Sequence, residues 1–95
     1  MNKVAIRTFK DLTVWQKAFD LSVKIHWLAG HLPAHELDGL SSELRKTSRS
    51  IVYNIAEGHR RGSTVEYIRF LRISDGSAAE LESQILLAER LGYFQ

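Results

Sequence analysis

The segment from Gly39 to Gly58 constrains this chain more than any other. Within it Leu40, Leu44, Thr47, Ile51, Ile55 and Gly58 recur at steps of 4, 3, 4, 4 and 3. That spacing keeps one stripe on one side of an α-helix, which is what a helical bundle requires. A helix is therefore expected over about 36–58, closed by Gly58. Its other side is cationic: Arg45 and Arg49 stack one turn apart, with Ser42 one turn before them. Val52, Tyr53 and Ala56 share that side. A simple surface helix would not carry so many apolar groups there, so contact with a second helix is expected, from this chain or another subunit. The plainer alternative is a few stray apolar residues at the surface.

Two further helices flank it. Asp11 is a plausible N-cap for a helix over about 12–32, whose stripe includes Leu12, Trp15, Ala18, Phe19, Ser22, Ile25, Leu28, Ala29 and Leu32. Pro33 stops that helix, because the residue before a proline disfavours α geometry. Residues 1–10 are expected to be an irregular or extended arm. After the Arg60-Arg61-Gly62 connection, Ser63 and Glu66 stand in capping-box register for a helix over about 64–91. Tyr67, Leu71, Ser74, Ala78, Leu81, Ile85 and Ala88 alternate steps of 4 and 3, a coiled-coil-like seam. The small residues around Gly76 suggest close helix approach, which would offset the roughly 1 kcal/mol that a helical glycine costs. Leu91-Gly92 is a C-terminal stop.

No strand pattern or internal repeat competes with this reading, so the chain is expected to be all-α, an up-and-down antiparallel bundle forming one domain over 1–95. At 95 residues a single core is thin, and assembly into a homo-oligomer would add burial. Three broad apolar stripes leave a slot for a fourth helix: either the chain is truncated or a neighbour fills the gap. The chain has no cysteine, which removes disulfides and thiolate zinc sites and fits a cytoplasmic location. No signal-peptide pattern opens it, and no apolar run is long enough to span a membrane.

Net charge is only +2, but it is unevenly spread. Arg45, Lys46, Arg49, Arg60, Arg61, Arg69 and Arg72 crowd the middle, whereas Asp75, Glu80, Glu82 and Glu89 dominate the end. Such a patch suits phosphate or an acidic protein surface. Arg60 and Arg61 also sit beside the free N–H groups that open the third helix. The competing view is a solvated face, or arginines paired with Glu57, Glu66 or Glu80 of a neighbouring subunit.

Catalytic chemistry is not legible. His31 and His35 are four apart, but Pro33 separates them, so they do not share a helix face as metal ligands would. His26 reads as a satisfied, half-buried ring. No nucleophile motif or phosphate-cradling glycine loop is present, and Glu57 has no positioned partner for acid–base work. No enzyme activity, cofactor or metal is expected.

Five ordered motifs point to a family. They are Phe9-Lys10-Asp11-Leu12-Thr13-Val14-Trp15-Gln16-Lys17-Ala18, Leu44-Arg45-Lys46, Ser50-Ile51-Val52-Tyr53-Asn54-Ile55-Ala56-Glu57-Gly58, Phe70-Leu71-Arg72-Ile73-Ser74-Asp75-Gly76-Ser77 with Glu80-Leu81, and Leu91-Gly92-Tyr93. Together they resemble the bacterial 23S ribosomal RNA intervening-sequence proteins, the S23 family, from Phe9 to Tyr93. The resemblance implies a four-helix bundle that closes into a homopentamer, with the fourth helix missing from this chain. A related branch, the accessory variability determinant of diversity-generating retroelements, is a basic pentameric barrel that binds nucleic acid and a reverse transcriptase. By that analogy Arg45, Lys46, Arg49, Arg60 and Arg61 map to a nucleic-acid-binding surface for RNA or DNA. A scaffold or protein-interaction role is the alternative. Arg45-Lys46-Thr47-Ser48 is more polar than the alanine-rich segment expected of the family.

Overall fold

A computed structural model describes residues 5–94 of the chain. Those residues form three α-helices, α1 (Thr13–Ala29), α2 (Leu40–Arg60) and α3 (Thr64–Arg90), with 3-10 turns at Phe9–Asp11 and Ala34–Glu36. No strand occurs among them. The first residues of the expected arm, 1–4, lie outside the described part.

Helix α2 is the spine. The backbones of α1 and α3 each lie close along it and farther from one another. Both pairings are antiparallel. Ser22 of α1 meets Ser48, whereas Ala29 shares a cleft with Ser41. Gln84 of α3 meets Thr47, Ser77 meets Ser50, and Ser74 meets the Ile51 carbonyl. The up-and-down order follows from short connections between neighbouring helices. The expected seam of α2 is buried throughout: Leu40, Leu44, Thr47, Ile51, Ile55 and Gly58 all face the interior. On α3 Ser74, Leu81 and Ala88 of the expected seam are buried, joined by Phe70, which the alternating steps did not include.

The hydroxyls in this core are matched, whereas Gln84 Oε1 is buried without a hydrogen-bond partner among the described residues. Ser22 and Ser48 hydroxyls bond at 3.0 Å, and Ser48 also donates to the Arg45 carbonyl at 3.0 Å. Ser74 Oγ donates to the Ile51 carbonyl at 2.9 Å. A buried hydroxyl without such a partner would be destabilising. These short side chains let α2 come close to both neighbours.

Several local expectations need correction. Asp11 does not cap α1. Its Oδ2 accepts from the Arg7 and Thr8 N–H groups at 2.8 and 3.1 Å, while Thr8 Oγ1 accepts from Lys10 N–H at 3.2 Å. This closes a capping box around the 3-10 turn, and α1 begins after Leu12 without a side-chain cap. Those N–H donors hold the Asp11 carboxyl below its ordinary range. α1 ends at Ala29 rather than Leu32, because the chain turns at Gly30, whose N–H reaches the His26 and Trp27 carbonyls. Leu32 is buried beyond the helix end. α2 starts at Leu40, after the short turn at Ala34–Glu36.

Gly58 does not close α2, which continues to Arg60. It is a contact glycine: a Cβ there would lie 2.6 Å from Phe70 Cβ. The turn itself is made by Gly62, with φ of +72°. Gly76 has nothing within 4 Å of where its Cβ would stand, so the close approach of α2 and α3 is made by Ser74 and Ser77 instead. Ser63 caps α3 as expected, accepting from Glu66 N–H at 3.4 Å, but the Glu66 carboxylate turns to Arg69 rather than back to the cap.

Past α3, Gly92 at φ +78° reverses the chain, and Tyr93 N–H bonds the Ala88 carbonyl at 3.0 Å. Tyr93 then clamps the far end of α2. Its hydroxyl donates to Glu36 Oε2 at 2.7 Å, while Glu36 Oε1 accepts from Leu40 N–H at 3.1 Å. The hydroxyl and that amide hold the Glu36 carboxyl below its usual range, and the same bond raises Tyr93. A depressed folded pKa adds stability that is present above the unfolded carboxylate value and lost as pH falls through the folded one. Tyr93 works in reverse: its share is present below the ordinary tyrosine value and lost as pH rises through the raised one. Tyr93→Phe is expected to move the Glu36 carboxyl upward and reduce the acid-side loss of stability, read by NMR titration and by melts across the acid range. An unchanged Glu36 titration would remove the clamp from the account.

A groove remains between α1 and α3. Leu21 on one side and Ala78, Leu81, Ile85 and Leu86 on the other flank a floor made by Ile51, enclosing about 240 Å³ of almost wholly apolar space.

Candidate nucleic-acid interface

The outer side of α2 collects the cations. At 3.6 residues per turn, Arg45, Arg49 and Arg60 fall within about 60° of one another, and Lys46 lies on their shoulder. Arg45 to Arg60 covers about 22 Å of helix. Tyr53 and Ala56 complete the stripe, Tyr53 well exposed and Ala56 half-buried. The arrangement follows from the seam: fixing Leu44, Ile51 and Ile55 inward turns positions 45, 49, 53, 56 and 60 outward. Val52, expected on this outer side, is buried in the core instead.

The five expected binding residues differ in how they are held. Arg49, Lys46 and Arg60 make no hydrogen bond or ion pair to any described residue. Arg45 makes only a long bond of 3.5 Å to the Leu37 carbonyl. Arg61 stands apart, about 160° round the helix from Arg45. Its guanidinium bonds Glu57 Oε1 at 2.8 and 3.1 Å and lies 5.1 Å from the Phe70 ring centroid. On α3, Arg69 is likewise engaged: it pairs with Glu66 at 2.7 Å and lies 4.5 Å from the centroid of the same ring. That pairing lowers Glu66 and raises Arg69 from their ordinary values. Both ion pairs are exposed and of the i, i+3 or i, i+4 kind, so each adds little to stability. The chain thus brings Arg45, Lys46, Arg49 and Arg60 to one side and draws Arg61 toward α3.

Beside this stripe lies a groove that no local sequence pattern disclosed. Phe19, Ser22, Val23 and His26 of α1 face Arg49, Val52 and Tyr53 of α2 around about 320 Å³. His26 donates from Nδ1 to the Ser22 carbonyl at 2.8 Å and is half-buried, as expected. Phe19 was assigned to the core stripe, yet it is 47% exposed, and Val23 and Trp27 continue its side of the helix outward. The periodicity that placed Phe19 inside could not see that α1 meets only one neighbour.

The remaining histidines are dispersed. His31 stacks on Trp27, His35 lies against Tyr93, and His59 lies against Tyr67. Among the described residues no three His, Asp or Glu side chains gather where a metal ion could sit. No described helix is long and apolar enough to cross a membrane.

An all-α bundle whose central helix carries a basic outer side is the class that fold and surface define. Residues 10–95 match the family model of the 23S rRNA-intervening sequence protein, and the chain belongs to that family. No curated relative matches it.

Proposed function

We propose that this protein is a non-enzymatic, oligomeric helical-bundle protein that engages RNA or DNA by charge through the outer side of α2. The observation that carries this reading is a contrast in pairing. Arg61 and Arg69 are tied to carboxylates of their own chain. Arg45, Lys46, Arg49 and Arg60 are not, and they share one side. Unpaired guanidinium groups in a row suit a phosphate backbone, because each contact releases condensed counterions. Membership of a family described by its place within ribosomal RNA adds to this reading.

The double substitution Arg45→Glu, Arg49→Glu tests it. Retention on immobilised RNA at low salt should fall at least tenfold, with helix content by circular dichroism unchanged. Retention equal to wild type rejects the assignment.

A second reading is favoured by the apolar groove between α1 and α3 and by the exposed Phe19, Val23 and Trp27. Large apolar surface of this kind marks contact with another chain. On this reading the protein is a homo-oligomeric scaffold, a pentamer if it follows the family resemblance, and its arginines serve subunit contacts. The same double variant would then change the native mass in light scattering instead of nucleic-acid retention.

A further inference from the structure

We infer that the groove between Phe19 and Tyr53 takes one unpaired nucleobase, with Arg49 meeting the adjoining phosphate, so that the preferred ligand is single-stranded. This rests on the nucleic-acid reading above and narrows it.

The groove is built for a flat, amphipathic group carrying negative charge. Phe19 and Tyr53 supply aromatic faces from two different helices, and Val23 and Val52 supply aliphatic contact between them. Tyr53 is 63% exposed, so its ring is open to a partner. Phe19 is braced by its neighbours: its ring lies 4.9 Å from that of Trp15, which in turn lies 5.3 Å from Phe9. A braced ring loses little freedom on binding. About 320 Å³ is at the small end of ligand pockets, which begin at roughly 300 Å³.

Its polar groups are few: the Ser22 hydroxyl is taken by Ser48, and two others are unspent. Arg49 has no partner among the described residues, and neither does His26 Nε2, since that ring bonds the Ser22 carbonyl through Nδ1. A guanidinium beside aromatic rings can pair with phosphate or lie over a base. The imidazole offers the base an edge to bond. A base inside a duplex presents no face to such a groove, whereas an unpaired base stacks readily on aromatic side chains. Arg45 lies one turn from Arg49, about 6 Å along α2, in line for a neighbouring phosphate.

The test is fluorescence anisotropy with a labelled single-stranded RNA of about 12 nucleotides, a length that such surfaces span. The same strand annealed to its complement is the duplex probe. Tyr53→Ala should weaken single-strand binding about 5- to 100-fold, the usual worth of one stacked base. The salt slope should stay the same, because tyrosine releases no counterion. Tyr53→Phe should keep wild-type affinity, and the duplex should bind more weakly than the single strand. Unchanged binding by Tyr53→Ala, or equal binding of both probes, overturns the inference. If Arg45→Glu, Arg49→Glu still abolishes binding in that case, the basic-surface reading stands without it. A shift in native mass for Tyr53→Ala with no loss of affinity gives the groove to a second copy of the chain and also overturns it. Failure of the wild type to bind either probe at low salt contradicts both readings.

Discussion

Leu44→Ala should destabilise the folded chain by about 2–5 kcal/mol. Leu44 is 0% exposed and sits on the seam of α2, the helix against which both others pack. Truncation removes buried methyl groups and leaves a cavity that the surroundings fill only in part. The site has little scope for collapse, because the backbones of α1 and α3 each lie close to α2 but not to each other. Drawing one inward does not draw in the other. Small domains are stable by only about 5–15 kcal/mol, so this loss is a large share of the total. A urea melt should show a lower midpoint with a similar slope, the mark of a stability change rather than a change of unfolded state. A loss below about 1 kcal/mol would mean that α2 is not the spine.

Gly58→Ala is the second large effect, and its sign is the informative part. Helix propensity alone says that alanine inside a helix stabilises by about 1 kcal/mol over glycine. Here the new Cβ would lie 2.6 Å from Phe70 Cβ and 3.3 Å from Phe70 Cγ and Tyr67 Cδ1. Phe70 Cβ is fixed to the backbone of α3, so no side-chain rotation relieves the contact. α2 and α3 must separate at the end where they are joined. Overpacking of this kind costs about 1–3 kcal/mol, sometimes more. The net expectation is destabilisation by up to about 2 kcal/mol, measured by thermal melts. The Arg61 and Arg69 guanidinium groups, which both lie over the Phe70 ring, should shift with it. A stabilised variant would show that Gly58 is tolerated rather than required.

These two positions also mark what the sequence made legible and what it hid. The burial of Leu44, Ile51 and Ile55 was readable because apolar side chains at steps of 3 and 4 have one helical solution. Gly58 was readable as special but not as a contact. A glycine that ends a helix and one that admits a neighbouring ring look alike in one dimension, and only Gly62 carries the positive φ. Asp11 and Thr8 are both cap formers, and the Thr8-x-x-Asp11 spacing matched a capping box once the turn was known. The Tyr93–Glu36 bond joins residues 57 apart, beyond any local pattern.

The candidate site divides along the same line. Arg45, Lys46 and Arg49 are legible as neighbours because one expected helix carries them, whereas Arg60 is expected in the connection and joins them only because α2 runs on to it. The family resemblance groups Arg61 with them, although Glu57, four residues earlier, is the usual position for a helical ion pair. The Phe19–Tyr53 groove needed the pairing of two helices, which composition and periodicity do not specify.

The most direct test of the unpaired stripe on α2 is the slope of log affinity for RNA against log salt, for wild type, Arg45→Ala with Arg49→Ala, and Arg69→Ala. Each phosphate contact contributes about 0.7–0.9 to that slope. The double variant should therefore lose about 1.4–1.8 of it, and Arg69→Ala, whose charge is already met by Glu66, should lose none. A double variant with the wild-type slope, or an equal loss on removing Arg69, would contradict the account.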